Sequence, residues 1–253
     1  MDVNAYLRRI DYRGPLKPTA ETLRGLHVAH LRTVPFENLS IHAREPVVLE
    51  DGALFAKIVA RRRGGFCYEL NGLFAALLGA LGFRVTMLSA GVARDDGGFG
   101  PDFDHMALMV ELEDRWLADV GFGDSFVEPL LLDERGEQRQ GARSYRIDAE
   151  GSRLILMRRD GEGGEWEPQY RFTLRPHRYE DYAERCRHHQ TSPQSHFTRA
   201  RLCTLATPRG RVTLSGMRLI TTDEAGVRRE RVLATEREFE EALSEHFGVT
   251  MSG

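Results

Sequence analysis

Apolar residues recur at intervals of three and four through the first eighty positions of the chain. Val3, Tyr6, Leu7 and Ile10 make one short stripe, and Asp11-Tyr12-Arg13-Gly14-Pro15 breaks it. Leu23, Leu26, His27, His30 and Leu31 make a second behind Thr19, which suits an N-cap, and this run must end before Pro35. Leu54, Phe55, Ile58 and Val59 make a third, with Asp51 as its expected cap. Leu70, Leu73, Phe74, Leu77, Leu78 and Leu81 form one continuous face, and Gly82 is placed to stop that helix. The spacing predicts a bundle of four helices. Between the second and third runs lies Val34-Pro35-Phe36-Glu37-Asn38-Leu39, an irregular segment with a large aromatic.

The period changes at Arg84. Val85, Met87 and Ser89 alternate with Arg84, Thr86 and Leu88, which predicts a strand. Arg94 to Asp104 is a loop of glycine and aspartate. His105 opens the next strand through Met106, Leu108, Val110 and Leu112; Glu113-Asp114 reads as a two-residue turn, and Arg115 to Val120 returns. Further strands are expected near 126–132, 143–148, 153–159 and 166–174, consistent with a small antiparallel barrel or sandwich. Arg178 to Gln190 reads as a polar helix ended by Thr191-Ser192-Pro193. Strand patterns resume at 200–205, 211–215, 217–221 and 227–233. Thr235-Glu236-Arg237-Glu238 is a capping box for a last helix that buries Phe239, Leu243 and Phe247 and ends at Gly248. The expected class is α+β and multidomain: a helical bundle over 1–83, a β-barrel domain over 84–176, a helical linker over 177–195, and strands plus a helix over 196–253.

Composition narrows the function. The chain has 253 residues, 41% hydrophobic and 29% charged, with a net charge of −3. That balance carries no nucleic-acid footprint. No apolar run approaches the roughly 20 residues that span a bilayer. Met1-Asp2-Val3-Asn4 lacks the basic-then-apolar order of a signal peptide. The three cysteines, Cys67, Cys186 and Cys203, are too few and too odd for a disulfide framework, and point to a reducing cytoplasm. The spacing of His27 with His30, and of Cys186 with His188 and His189, lacks the further ligands of a metal site. No metal is expected. A homo-oligomer is left open.

One cysteine stands apart. Arg63-Gly64-Gly65-Phe66-Cys67 delivers a thiol to the start of the fourth helix, where unpaired N–H groups and the macrodipole favour a negative charge. Cys67 is therefore expected to ionise more easily than a free thiol, although a packed structural cysteine would look the same. A cysteine nucleophile needs a base and a group that fixes the base's tautomer. His105, at a strand start, and Asp119, before Val120-Gly121-Phe122-Gly123, are the candidates. Register arithmetic does not deliver them: a two-residue turn at 113–114 pairs Asp119 with Leu108 and puts His105 on the opposite face. An odd-length turn or a bulge would restore the face.

These segments together resemble the arylamine N-acetyltransferase family. Val34-Pro35-Phe36-Glu37-Asn38-Leu39 matches its N-terminal signature. Arg63-Gly64-Gly65-Phe66-Cys67-Tyr68-Glu69 with Asn71 matches its nucleophile motif. Asp104-His105-Met106 and Asp119-Val120-Gly121-Phe122-Gly123 match the base and carboxylate motifs, in family order over residues 34–123. Ser192-Pro193-Gln194-Ser195-His196-Phe197 resembles a downstream segment that brings an aromatic to the cleft.

The resemblance implies a papain-like core with Cys67, His105 and Asp119 as catalytic triad, and Phe36, Phe122 and Phe197 as substrate-contacting aromatics. It implies acetyl-CoA as co-substrate and ping-pong transfer through a cysteine thioester to an arylamine, arylhydrazine or N-hydroxyarylamine. No glycine-rich phosphate cradle marks the CoA contacts; the 94–104 loop is a candidate cleft wall. Two rivals remain: intramolecular amide formation on an aminophenyl polyketide, and a Cys-His-Asp peptidase or amidase. The absence of any glutamine before Gln138 counts against a papain-like oxyanion hole.

Overall fold

The computed structural model describes residues 1–251. Five helices lead: α1 (Val3–Arg9), α2 (Ala20–Thr33), the short α3 (Leu39–His42), α4 (Asp51–Phe55) and α5 (Cys67–Ala80). Thr19 caps α2 as expected, its side chain accepting from Thr22 N–H. Asp51 does not cap its helix: it is the first helical residue, behind Glu50, and lies in the first turn. After Phe55 the helix widens into a π-helical turn over Ala56–Ala60, which leaves Lys57 buried. α5 has its apolar face and more inside. Leu70, Leu73, Phe74, Leu77 and Leu78 are all fully buried, in one core with Tyr6, Leu23 and Ile58.

The middle of the chain is a nearly closed antiparallel barrel. Its strands are β2 (Arg84–Val92), β3 (His105–Glu111), β4 (Arg115–Ala118), β5 (Leu130–Leu131), β6 (Gln138–Gln140), β7 (Arg143–Glu150), β8 (Arg153–Asp160) and β9 (Glu167–Phe172), in the order β5-β4-β3-β2-β9-β8-β7-β6. The strand expected over 126–132 shrinks to two residues, and β6 was not foreseen. Both facts have one cause. The barrel's edges, β5 and β6, are joined by glutamine side chains instead of a ladder: Gln138 amide groups bond Leu131 N–H at 2.8 Å and Leu131 C=O at 3.0 Å. Gln140 likewise bonds Val127 N–H at 2.9 Å and Glu128 C=O at 2.7 Å. The edge amides are thus satisfied without a long hydrophobic strand.

The third unit follows a 3-10 turn (Tyr179–Tyr182) and α6 (Ala183–Thr191). It contains β10 (Leu202–Thr207), β11 (Gly210–Ser215), β12 (Arg218–Asp223), β13 (Arg228–Val232) and α7 (Glu236–Phe247). Its sheet takes a fifth strand from the far N-terminal side. Phe36–Glu37, as β1, pairs antiparallel with β10, Phe36 opposite Thr204. The Val-Pro-Phe-Glu-Asn segment is therefore a seam between the helices and the last sheet, not a free loop. At α7, Thr235 accepts from Glu238 N–H, while the Glu238 carboxylate reaches one residue further back, to Ala234 N–H at 3.0 Å.

The turn between β3 and β4 corrects the register arithmetic. Leu108 pairs with Ala118 and Glu111 with Arg115, so the connection is the three residues Leu112-Glu113-Asp114, closed by Leu112 N–H to Asp114 C=O at 2.9 Å. One extra turn residue moves every β4 side chain to the other face. Asp119 then falls opposite Ala107, on the same face as His105.

Gly64 has no room for a side chain, since a Cβ there would lie 2.0 Å from the Pro35 carbonyl oxygen. Gly64→Ala should cost more than about 2 kcal/mol in urea unfolding. Gly79, in α5 with nothing within 4 Å of a Cβ, should behave oppositely: Gly79→Ala should stabilise by about 0.5–1 kcal/mol.

Candidate active site

The loop before Cys67 is pinned by four buried charges. Glu37 accepts from Arg63 at 2.9 Å, from Gly64 N–H at 3.3 Å and from Leu39 N–H at 2.6 Å. Glu69 accepts from Lys57 at 2.7 Å and from Phe66 N–H at 3.0 Å. Burial works against the charged form of Glu37, but Lys57 and Arg63 outweigh it and hold its carboxyl below the ordinary range. Burial likewise opposes the Lys57 cation, and Glu69 and Glu37 more than offset it. The backbone closes the same junction, with Glu37 N–H donating to Gly65 C=O at 2.8 Å. Gly-Gly thus lets one chain segment cross another at van der Waals distance, with a carboxylate clamping either side of the crossing.

Of the three residues named from the sequence, His105 and Asp119 are in direct contact, and Cys67 is tied to their strands through Asn71 of its own helix. His105 Nε2 and Asp119 Oδ2 are 2.7 Å apart, with both side chains buried. The other Asp119 oxygen accepts from Asn71 Nδ2 at 2.8 Å and from Gly121 N–H at 2.9 Å. Asn71, one turn after Cys67 on α5, also donates to Met106 C=O at 2.6 Å and accepts from Val120 N–H at 2.9 Å. It thereby fastens the Cys67 helix to the strand of His105 and to the segment of Asp119. Gly121 completes the fit: a Cβ there would stand 2.8 Å from Cys67 Cα. With Nε2 tied to Asp119, Nδ1 is the His105 nitrogen left for proton exchange.

The acidity expected of Cys67 from its helix position is not found. Burial pushes its thiol well above the ordinary value, with Cys186 adding to the effect and the Met106 N–H opposing it. A helix N-terminus contributes about 0.3–1 kcal/mol to an anion, whereas desolvating a charge costs several. A thiolate here would require a cation beside it. Burial raises the pKa of Asp119, but His105 and the hydrogen bonds from His105, Asn71 and Gly121 overcome this and hold it below the ordinary value.

Phe122 stands edge-on to His105 at 5.2 Å, with Tyr170 completing the contact at 5.1 Å from the imidazole. Phe36 and Phe197 lie 6.0 Å apart, both largely buried in the core that contains Cys67, and Phe66 joins Phe197 at 5.4 Å. The 94–104 loop is anchored at its end. Phe103 C=O accepts from Tyr68 OH at 2.6 Å, and Asp104 pairs with Arg185 and His189 of α6. Burial works against the charged form, but the hydrogen bonds from His189 and Arg185 and the Arg185 charge bring Asp104 down to about 2. Cys186 and Cys203 are buried free thiols; burial drives Cys186 up to about 12. Among the described residues no group of three or more His, Cys, Asp or Glu could hold a metal.

His27 has a role that the sequence reading overlooked. It is fully buried on α2, stacked on Phe126 at 5.7 Å. Nδ1 lies 2.7 Å from Val127 C=O, and Nε2 lies 3.0 Å from the backbone nitrogen of Asp119. A carbonyl can only accept, so Nδ1 carries the proton and Nε2 accepts the Asp119 N–H. The only available sequence signal was an apolar-face histidine with no metal partner.

Burial lowers His27 to about 4, against partial compensation from Val127 and Asp119. The unfolded chain therefore takes up a proton at this position as pH falls from about 6.5 to 4, while the native state refuses it. The resulting stability is full above pH 6.5 and declines through that window. His27→Phe should flatten the fall in urea midpoint between pH 6.5 and 4. It should also lower kcat about tenfold at pH 7.5 by leaving the Asp119 N–H unpaired. His27→Gln, which keeps an acceptor, should retain more of the activity.

A family model described as N-acetyltransferase matches residues 19–253. The arylamine N-acetyltransferase pineal gland isozyme NAT-3 of Gallus gallus is 34% identical, covering 99% of this chain and 95% of its own length. Proansamycin X synthase of Amycolatopsis mediterranei is 33% identical, covering 96% and 95%. The solved arylamine N-acetyltransferase of Salmonella typhimurium superposes with a TM-score of 0.93 at 32% identity, over 99% of this chain and 92% of that one. The Mycobacterium marinum arylamine N-acetyltransferase, solved in complex with CoA, gives 0.90 at 32% identity, over 98% and 93%. With the fold, the motifs and the relatives in agreement over nearly the whole chain, this protein belongs to the arylamine N-acetyltransferase family and is an acetyltransferase.

Proposed function

We propose that the chain moves an acetyl group from acetyl-CoA through a thioester on Cys67 to an arylamine, arylhydrazine or N-hydroxyarylamine. The supporting observation is the buried His105–Asp119 bond at 2.7 Å, held by Asn71 from the same helix that begins at Cys67. In the first half-reaction the Cys67 thiolate, paired with imidazolium His105, attacks the thioester carbonyl. The new bond is C–Sγ; the bond to the CoA sulfur breaks, and the departing thiolate takes the His105 proton. In the second half-reaction the amine nitrogen attacks the acetyl-cysteine, His105 accepts the amine proton, and the Cys67 thiolate leaves. Asp119 stays ionised and holds the imidazole in place.

Thioester exchange between two thiols is nearly balanced, so the site needs alignment and an ion pair more than a strong electrophile. The oxyanion needs backbone donors, and the Cys67 N–H at the first position of α5 is one. Phe36, Phe122 and Phe197 suit a flat aromatic acceptor, and the same aromatics keep water from the acyl-enzyme. A second reading has the acceptor amine in the acyl chain itself, as an aminophenyl polyketide would supply. The likeness to proansamycin X synthase favours it. A hydrolase is disfavoured by the aromatic surroundings. We place the enzyme in the cytoplasm, in keeping with three free cysteines; no described helix is long and apolar enough to cross a membrane.

Acetyl-CoA alone should acetylate Cys67 once, adding one acetyl mass to the intact protein, with Cys67→Ala unlabelled. Equal labelling of the variant, or an unmodified wild type, would overturn the reading. Asp119→Asn should lower the acetylation rate by about 10²–10⁴. Because the thiolate depends on His105, iodoacetamide inactivation should remain fast well below the free-thiol pKa of about 8.5 and lose that acid-side plateau in His105→Asn.

A further inference from the structure

The outer face of the barrel carries a cavity that the triad does not use, with a volume of about 480 Å³. That size lies within the range of small-molecule sites. Strand register fixes its side of the sheet. Ala90 pairs with both His105 and Phe172 across three adjacent strands, and these positions face the barrel interior, where His105 meets Phe122 and Tyr170. Ser89, Arg171 and Arg153 occupy the alternate positions on β2, β9 and β8, so they stand on the outside. Asp102, Phe103, Phe172, Thr173, Arg175 and His177 also line it. The sheet separates this cavity from the His105 side chain.

Three guanidinium groups line it without ion-pair partners. Several neighbouring barrel arginines are matched: Arg143 with Asp124, Arg146 with Asp148, Arg158 with Asp160 and Arg159 with Glu137. Among the described residues none of Arg153, Arg171 and Arg175 has a carboxylate within salt-bridge distance; Arg171 instead lies over the Phe99 ring at 4.7 Å. Two carboxylates reach the rim. Asp181 is engaged by Arg178 N–H at 2.9 Å and by His177 at 3.7 Å, and Asp102 is exposed. The lining keeps a net positive charge.

The wall is also shaped. Phe103 holds a left-handed backbone, φ 65°, with its N–H donating to Ser89 Oγ at 2.7 Å. That bond uses a lone pair of Ser89 and leaves its hydroxyl proton free to donate. The Phe103 ring packs edge-on to His177 at 4.8 Å. Forked guanidinium donors and a spare hydroxyl over an aromatic floor match a phosphate on a small molecule better than a lone carboxylate.

We propose that this cavity binds the phosphate groups of a small phosphorylated molecule. The phosphates could belong to the acyl donor, a source that rests on acetyl-CoA being the donor as proposed above, or to a free phosphorylated metabolite. Calorimetric titration with inorganic pyrophosphate tests the site without any acyl chemistry. The wild type should bind one pyrophosphate, more weakly as salt rises. Affinity should fall about tenfold or more in the Arg153→Gln/Arg171→Gln double variant and measurably in Arg175→Gln, an exposed position. Saturating CoA distinguishes the sources: displacement of pyrophosphate assigns the site to the donor, and undiminished binding assigns it to a separate metabolite. No binding by the wild type, or unchanged affinity in both variants, overturns the proposal. Acetylation of Cys67 is scored separately, so the two readings fail independently.

Discussion

Two buried carboxylates, Glu37 and Glu69, govern this structure. Each holds one end of the four-residue approach to Cys67, and each is matched by one cation and at least one backbone N–H. Burying four charges costs several kcal/mol apiece before pairing, so the cluster is not there for net stability. Its effect is specificity of place. Glu37 is a strand residue on β1, and β1 belongs to the sheet of the third unit. The same carboxylate that fixes the loop before Cys67 therefore fixes how the last sheet meets the helices. The side chain of the next residue, Asn38, extends the seam by bonding Phe197 C=O, Ala200 C=O and Leu202 N–H.

A second constraint follows from the first. A thiol held this deeply cannot rely on water or on a helix end to carry a negative charge, because a helix terminus offers less than the desolvation it faces; in the proposed reaction the imidazolium supplies the difference. The apparatus around Asp119 is built accordingly. Asn71 and Gly121 bond one oxygen and His105 the other, while His27 accepts the backbone N–H. Each bond draws on a different element, namely α5, the loop after β4, β3 and α2. The geometry around Asp119 is thus a property of the assembled layers and of no single segment.

Much of this was legible from the chain. Periodicity located α2, α5, α7 and most strands, because each element must turn one apolar side inward whatever its neighbours do. Thr19, Gly82 and Gly248 marked ends for reasons local to the backbone. Elements whose partners are remote were missed. β1 is two residues long and exists through pairing with β10, and β6 and α3 lack an apolar period of their own. The Leu112-Glu113-Asp114 turn was read one residue short, and that single error put His105 and Asp119 on opposite faces of the sheet.

By itself the sequence determined the layer composition, the order of the motifs and the identity of Cys67, His105 and Asp119 as candidates. These depend on local pattern and on side-chain chemistry. Only the tertiary structure decided the turn register that joins His105 to Asp119, the weakened acidity of the buried thiol, the recruitment of His27, and the unpaired arginines outside the barrel. Each of these is set by the distance between groups far apart in the chain, or by how much water remains around them, and neither quantity is written in local periodicity.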